Sequence, residues 1–313
     1  MKITSKLNER FCKDMNIPIK LFEEPYFESR LKLYDAVFGT LAKYDLFLNT
    51  IGRFQSEQSY FEAYNKLKDD VISYLQSNEA MKVFASDEDF NRYSIKNTGF
   101  CSKDIFKQTF DGKYFLSVDM KKANFTALKK YDPAIVGGKA TYEEFIGMFT
   151  EHEYFKSSKY IRQVVFGNLN PRRQVTYEKY LMDGVLTQLL EFTQKESIVF
   201  YSNDEIVLDL SYLVSEEERN MLSEKVQFVL EVKDKEGISL RQEVFLLRYI
   251  PNSQGYIRRF VNKEGYDFKC IDAIMMPFVL RAYAGEQVME EDMVFRYEGK
   301  LAKLIEVPEI EVV

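Results

Sequence analysis

The sequence predicts an α+β fold, with helices gathered in the first third and strands interleaved with helices after it. Through residues 1–95, Leu31, Tyr34, Phe38 and Leu41, then Tyr60, Tyr64, Leu67, Val71 and Leu75, recur at three- and four-residue spacing. That is the period of one helix face. Beyond residue 100, short apolar runs bounded by acids or turn residues, notably 113–119 and 197–210, read as strands instead. With 313 residues, 46% apolar content, 21 Tyr and 26 Phe, the chain has the length and aromatic content to bury a full core.

In chain order, 113–119 is an apolar run ending in Asp119, and 120–128 continues from it as helix. Residues 142–166 form a second helical region. A third spans 177–195, with Leu181, Val185, Leu189 and Phe192 on one face. Residues 197–210 form two apolar halves that meet at Asp204-Glu205, a hairpin with acids at its tip. Ser215 followed by three Glu predicts a capped helix over 215–230, since side-chain oxygens and negative charge satisfy a helix N-terminus. Strands are expected at 227–233 and 238–250. The last sixty residues suggest a further hairpin made from 257–261 and 293–297, with a helix around 271–283 between the two strands.

Composition removes several function classes. Cys12, Cys101 and Cys270 are too scattered for a zinc cluster and odd in number, which argues against a disulfide framework. Neither a signal-like apolar stretch nor roughly 20 consecutive apolar residues occurs, so the expectation is a soluble cytoplasmic protein without a membrane partner. A net charge of −6 does not suit a general nucleic-acid coat. The charge is uneven, however. Residues 96–182 hold 15 Lys and Arg against 9 Asp and Glu, a local excess that suits phosphate binding.

An acid at the end of a buried apolar strand is costly unless it is paired or holds a metal. Two such places, Asp119 and the Asp204-Glu205 tip, invite one explanation. If the strand of Asp119 lies beside the hairpin, sequence-distant carboxylates converge as a pair of divalent ions requires. Mg²⁺, or Mn²⁺ in its place, favours carboxylates together with water and phosphate oxygens. Taken singly, an acid at a hairpin tip is an ordinary solvated turn residue, and the exposed pairs Lys121-Lys122, Lys129-Lys130 and Arg172-Arg173 are ordinary surface. His152, the sole histidine, stands between two Glu and reads as exposed.

The motif order strengthens the joint reading. Residues 104–119, DIFKQTFDGKYFLSVD, resemble the approach to motif A of the family A DNA polymerases, which ends in a metal-binding Asp. Residues 159–170, KYIRQVVFGNLN, are similar to motif B, in which a basic residue stands four before an aromatic followed by Gly. Tyr201-Ser-Asn-Asp204-Glu205, followed by apolar residues, is similar to motif C, with Asn203 where the family has His. The likeness covers roughly residues 100–250. Single-subunit phage RNA polymerases share the motif order, but Asp204-Glu205 resembles the DNA-polymerase form.

The resemblance implies an antiparallel polymerase palm at 96–250 with reduced fingers, a helical, thumb-like region at 1–95 and a β-rich extension at 251–313. It also implies nucleotidyl transfer to a 3′ end on primer-template DNA, from nucleoside triphosphates, in a phage-like viral protein. Asp119 and Asp204 would hold Mg²⁺ or Mn²⁺ and Glu205 would assist. Arg162, with Lys159, would contact the triphosphate, and Phe166 would pack near the incoming base. Three positions depart from the pattern: Asn124 replaces a Glu used in sugar selection, Asn170 a Tyr, and Ser158 an Arg. Asp204 follows Arg162 by only 42 positions, too few for extensive fingers. These departures motivate the alternative of a catalytically silent palm that binds nucleic acid or a replication protein. Reduced phage-type RNA synthesis is a weaker alternative.

Overall fold

A computed structural model describes residues 2–313 apart from Asn168 and Asn262. The N-terminal part is five helices, α1 (Ser5–Met15), α2 (Tyr26–Phe38), α3 (Thr40–Ile51), α4 (Glu57–Ser77) and α5 (Glu79–Ser86). The expected helical spacing is realised on α4, where Tyr60, Tyr64, Leu67, Val71 and Leu75 are all buried. Ser56 and Ser59 bond reciprocally across its first turn, satisfying amides that the helix cannot pair internally.

The remainder alternates strand and helix: β1 (Lys113–Met120), α6 (Ala123–Tyr131), α7 (Tyr142–Ile146), α8 (Glu153–Ser157), α9 (Lys159–Gly167), α10 (Pro171–Leu189), β2 (Ile198–Tyr201) and β3 (Glu205–Asp209). It continues with α11 (Glu216–Lys235), β4 (Leu240–Ile250), β5 (Gly255–Phe260), β6 (Tyr266–Lys269), α12 (Met276–Ala284), β7 (Val294–Tyr297) and β8 (Lys300–Lys303). The first six strands form one antiparallel sheet in the order β2-β3-β1-β4-β5-β6, and β7 pairs with β8 alone. The α+β class follows.

Alternation along the strands separates two faces. Leu116, Val118, Met120, Ile206, Leu208, Leu240 and Val244 look into the main core, which runs without a break from Leu7 on α1 to Leu280 on α12. The opposite face carries a smaller cluster of Phe115, Val207, Phe245, Leu247 and Tyr256, covered by Ile105, Phe106 and Phe110 from the segment before β1. That cover spans only part of the face. Toward the end of β1, Ser117, Asp119, Glu205, Arg241 and Glu243 leave a polar strip on the sheet.

Several expectations are corrected. Residues 227–233 are helix, because α11 runs to Lys235 with Val226, Val229 and Leu230 on its buried side. The apolar run there keeps helical spacing. The segments near 257–261 and 293–297 do not pair with each other: β5 lies between β4 and β6, while β7 turns back on β8. The helix after β1 starts at Ala123 and not at Met120, whose N–H still bonds the Asp204 carbonyl at 2.8 Å. Lys122, at φ 48, makes the left-handed turn between strand and helix. Among the described residues no helix is long and apolar enough to cross a membrane.

Candidate active site

β1 and β3 are antiparallel neighbours in a register that sets Asp119 directly against Glu205. Directly opposed residues project to the same face with their Cβ atoms roughly 5 Å apart. Asp204 sits one position earlier, in the β2–β3 turn, where Ser202 Oγ donates to its carboxylate at 3.0 Å. The Asp204 carbonyl accepts from Met120, so the turn is fastened to the end of β1. The two sequence-distant acidic segments thus meet at neighbouring strand ends, with Glu205 as the partner that directly faces Asp119.

Three further residues shape the strip. Ser117 Oγ donates to Glu205 Oε1 at 2.6 Å, fixing that carboxylate from two positions back along β1. Arg241, opposite Asp119 on β4, donates from Nε to Asp119 Oδ2 at 2.7 Å. Glu243 pairs with Arg258 and Lys263. Burial raises the Asp119 carboxyl to about 6; Arg241 opposes the rise, and the like charges of Glu205 and Asp204 add to it. Crowded carboxylates of this kind are relieved by a cation.

Lys159, at the start of α9, lies within electrostatic range of Asp119 and Arg241. Lys159 is held below its ordinary range first by burial and then by the positive charges of Arg162, Lys269 and Arg241, with Asp119 the one opposing charge among its main influences. Arg162 lies over the Tyr142 ring, 5.6 Å from its centroid, and is likewise depressed by burial, against which Tyr142 and Glu143 act. Phe166 is fully buried among Phe125, Tyr142 and Phe145. Its ring surface is spent on the core.

The hairpin is also clamped from behind by α10. Lys179 Nζ donates to the carbonyls of Tyr201 and Ser202 at 3.1 and 3.0 Å, and the Tyr201 hydroxyl donates to Asp183 at 3.2 Å. Burial lowers Lys179 to about 8. Glu178 accepts from Asn124 and Asn203.

The candidate donors are hard oxygen: Asp119 and the facing Glu205, with Asp204 one position before Glu205 in the turn. Among the described residues no three His, Cys, Asp or Glu side chains gather into a metal cage. Mg²⁺ asks less, since one or two carboxylates completed by water and substrate phosphates hold it. The crowded, partly desolvated pair of Asp119 and Glu205 fits that requirement. The chain matches no family model and no curated protein sequence.

The other basic pairs have mainly structural partners. Lys122 pairs with Glu143, Lys129 and Lys130 reach the carbonyls of Ala140 and Glu236, and Arg173 those of Phe84 and Asp87. His152 is half-buried against Phe54 and Phe155, where exposure had been expected. Sequence reading missed Arg241, Ser117, Glu178 and Lys179. Glu178 left a usable sign: it stands three and four positions before Leu181 and Met182, on the apolar face of its helix. Arg241 left none, because its pairing depends on a strand register that a one-dimensional pattern does not carry.

Proposed function

We propose that this chain transfers nucleotidyl groups to a nucleic-acid 3′ end, as a minimal palm of the family A DNA polymerase type. The observation that supports this reading is the direct cross-strand opposition of Asp119 and Glu205 beside the turn carrying Asp204, on an antiparallel sheet whose back is packed with helices. Divalent ions bound at such acids lower the barrier to attack by the 3′ hydroxyl and stabilise the leaving pyrophosphate. The remaining work belongs to the protein's own side chains. Asp119 and Asp204 supply the carboxylates, Glu205 adds charge from the facing strand, and Ser117 holds Glu205 in place. Lys159, with Arg162 behind it, neutralises triphosphate oxygens arriving over the strip, since charge-assisted contacts to phosphate are the stronger class of hydrogen bond.

A second reading, a silent palm that binds nucleic acid or a replication protein, is favoured by one observation: the Arg241 ion pair occupies an oxygen of Asp119. Labelled primer-template incubated with purified protein, with deoxynucleotides or ribonucleotides, and with Mg²⁺ or Mn²⁺, separates the two. Extension that disappears on Asp119→Ala supports the enzyme. Binding of primer-template without extension under any of these conditions supports the silent form. The nucleotide set that is incorporated distinguishes DNA from RNA synthesis.

A further inference from the structure

Glu178 is a charged residue in a place where an apolar one would pack. It lies in the middle of α10 and is 2% exposed. Both its oxygens are engaged by side-chain amides from different elements: Asn124 Nδ2 donates to Oε1 at 3.2 Å and Asn203 Nδ2 to Oε2 at 2.6 Å. Asn124 belongs to the first turn of α6, five residues after Asp119, and Asn203 immediately precedes Asp204. The carboxylate therefore bridges the two segments that carry the acids. The helix is also held apart from this clamp: Tyr177 packs its ring on Tyr131 of α6, and Leu181 and Met182 lie in the main core.

We propose that Glu178 is a positioning residue that sets the separation of the Asp119 and Asp204 segments by clamping Asn124 and Asn203, so that divalent-cation binding at those acids depends on it. This rests on the two-ion reading above. A buried carboxylate is retained against its desolvation cost where its acceptors are used. Here both are used, one oxygen by each donor amide. Burial, with Asp204 adding to it, raises Glu178 to about 7, opposed by the bond from Asn203. The same turn is gripped one residue along by Lys179, so α10 holds it by a carboxylate and an ammonium at successive positions. Groups behind a metal ligand that fix its orientation are typically worth 10–100-fold in affinity.

The test is Mn²⁺ binding by the full chain, followed by loss of the free-ion paramagnetic resonance signal, with a thermal melt beside each titration. Glu178→Gln sets a donor amide against two donors, and weakens Mn²⁺ binding by about tenfold or more. Joining it with Asn203→Asp reverses the donor and acceptor across the closer contact and recovers most of that loss, which a merely structural role does not predict. Should Glu178→Gln fail to fold, Asn203→Ala opens the clamp from the hairpin side with the same expected loss. Wild-type affinity in a folded Glu178→Gln, or in Asn203→Ala where Glu178→Gln does not fold, overturns the clamp. So does an equal loss in single and double variants. Mn²⁺ bound by the wild type without primer extension leaves the clamp standing and removes the polymerase, whereas no Mn²⁺ bound removes both.

Discussion

Asp119 and Glu205 oppose each other on adjacent antiparallel strands and share one face of the sheet, with Arg241 bonded to Asp119 from the other side. Like charges directly opposite destabilise a sheet, and the carboxyl of Asp119 is raised to about 6 first by burial and then by the like charge of Glu205. Neutralising it removes a cost to folding and the proposed metal ligand together. Asp119→Asn is therefore expected to melt no lower than the wild type at pH 8, while primer extension falls by on the order of 10³-fold. A melt lowered by several degrees would mean that the Arg241 ion pair dominates the local energetics.

The pH dependence of stability follows from the burial of two carboxyls near the site. Asp119 and Glu178, at about 6 and about 7, are both raised above their ordinary values, so each favours folding most when protonated. Their contribution is complete below about pH 4 and is lost as the pH rises through 6 and 7. Glu243 and Asp267 are lowered by their Lys and Arg partners and act in the opposite sense, in a more acidic window. His152, lowered by burial, opposes the trend near neutrality. The informative quantity is the difference between proteins: from pH 5 to pH 8 the urea midpoint of Glu178→Gln changes in the destabilising direction by less than that of the wild type. Parallel curves would exclude Glu178 as a contributor.

Arg241 holds one oxygen of Asp119 that the proposed cation would use. Removing the guanidinium frees that oxygen at pH 8, where the carboxylate is ionised, so Arg241→Gln is expected to tighten Mn²⁺ binding several-fold, the equivalent of about 1 kcal/mol for a partly exposed pair. Titration calorimetry measures it directly. Weaker binding would show that Arg241 orients Asp119 and does not mask it.

Lys159 and Arg162 are assigned different depths. Lys159 lies within electrostatic reach of Asp119, whereas Arg162 is turned toward Tyr142 and Glu143. Lys159→Ala is expected to raise the KM for nucleotide by roughly 10-fold, the scale of one charge-assisted hydrogen bond. Arg162→Ala raises it less and lowers the melting temperature more, through lost packing on Tyr142. Steady-state kinetics beside thermal melts separates the two, and equal effects on KM would contradict the difference in depth.

What could be read from the sequence follows from the range of each interaction. The helices of the first third, the strand ending at Asp119 and the hairpin bearing Asp204 and Glu205 are local patterns of period and turn chemistry, so they were visible. The pairing of β5 with β4 and β6 is not local, and neither is the register that sets Arg241 against Asp119. The strand expected at 227–233 failed because a short apolar run carries too little length to separate period 2 from period 3.6. At the site, the acids announced themselves by position. Of their supports, only Glu178 left a sign, by standing on the apolar face of its helix; a Ser in a strand or a Lys in a helix, as at Ser117 and Lys179, is unremarkable until the fold sets it against a particular partner.

Phe166 tests whether an aromatic at that position touches a base or only fills the core. It is fully buried, with ring centroids of Tyr142 and Phe145 each 6.2 Å away and that of Phe125 at 6.5 Å. A side chain so enclosed acts through α9, and its loss is felt as a cavity. Phe166→Ala is expected to cost about 3–5 kcal/mol of stability, while Phe166→Leu, which keeps most of the volume, costs less and leaves the nucleotide KM unchanged. If Phe166→Leu raised the KM several-fold without a change in urea midpoint, the ring would have to leave the core during the reaction. The α9 helix would then move over the sheet when nucleotide binds, and Lys159, at its start, would travel with it.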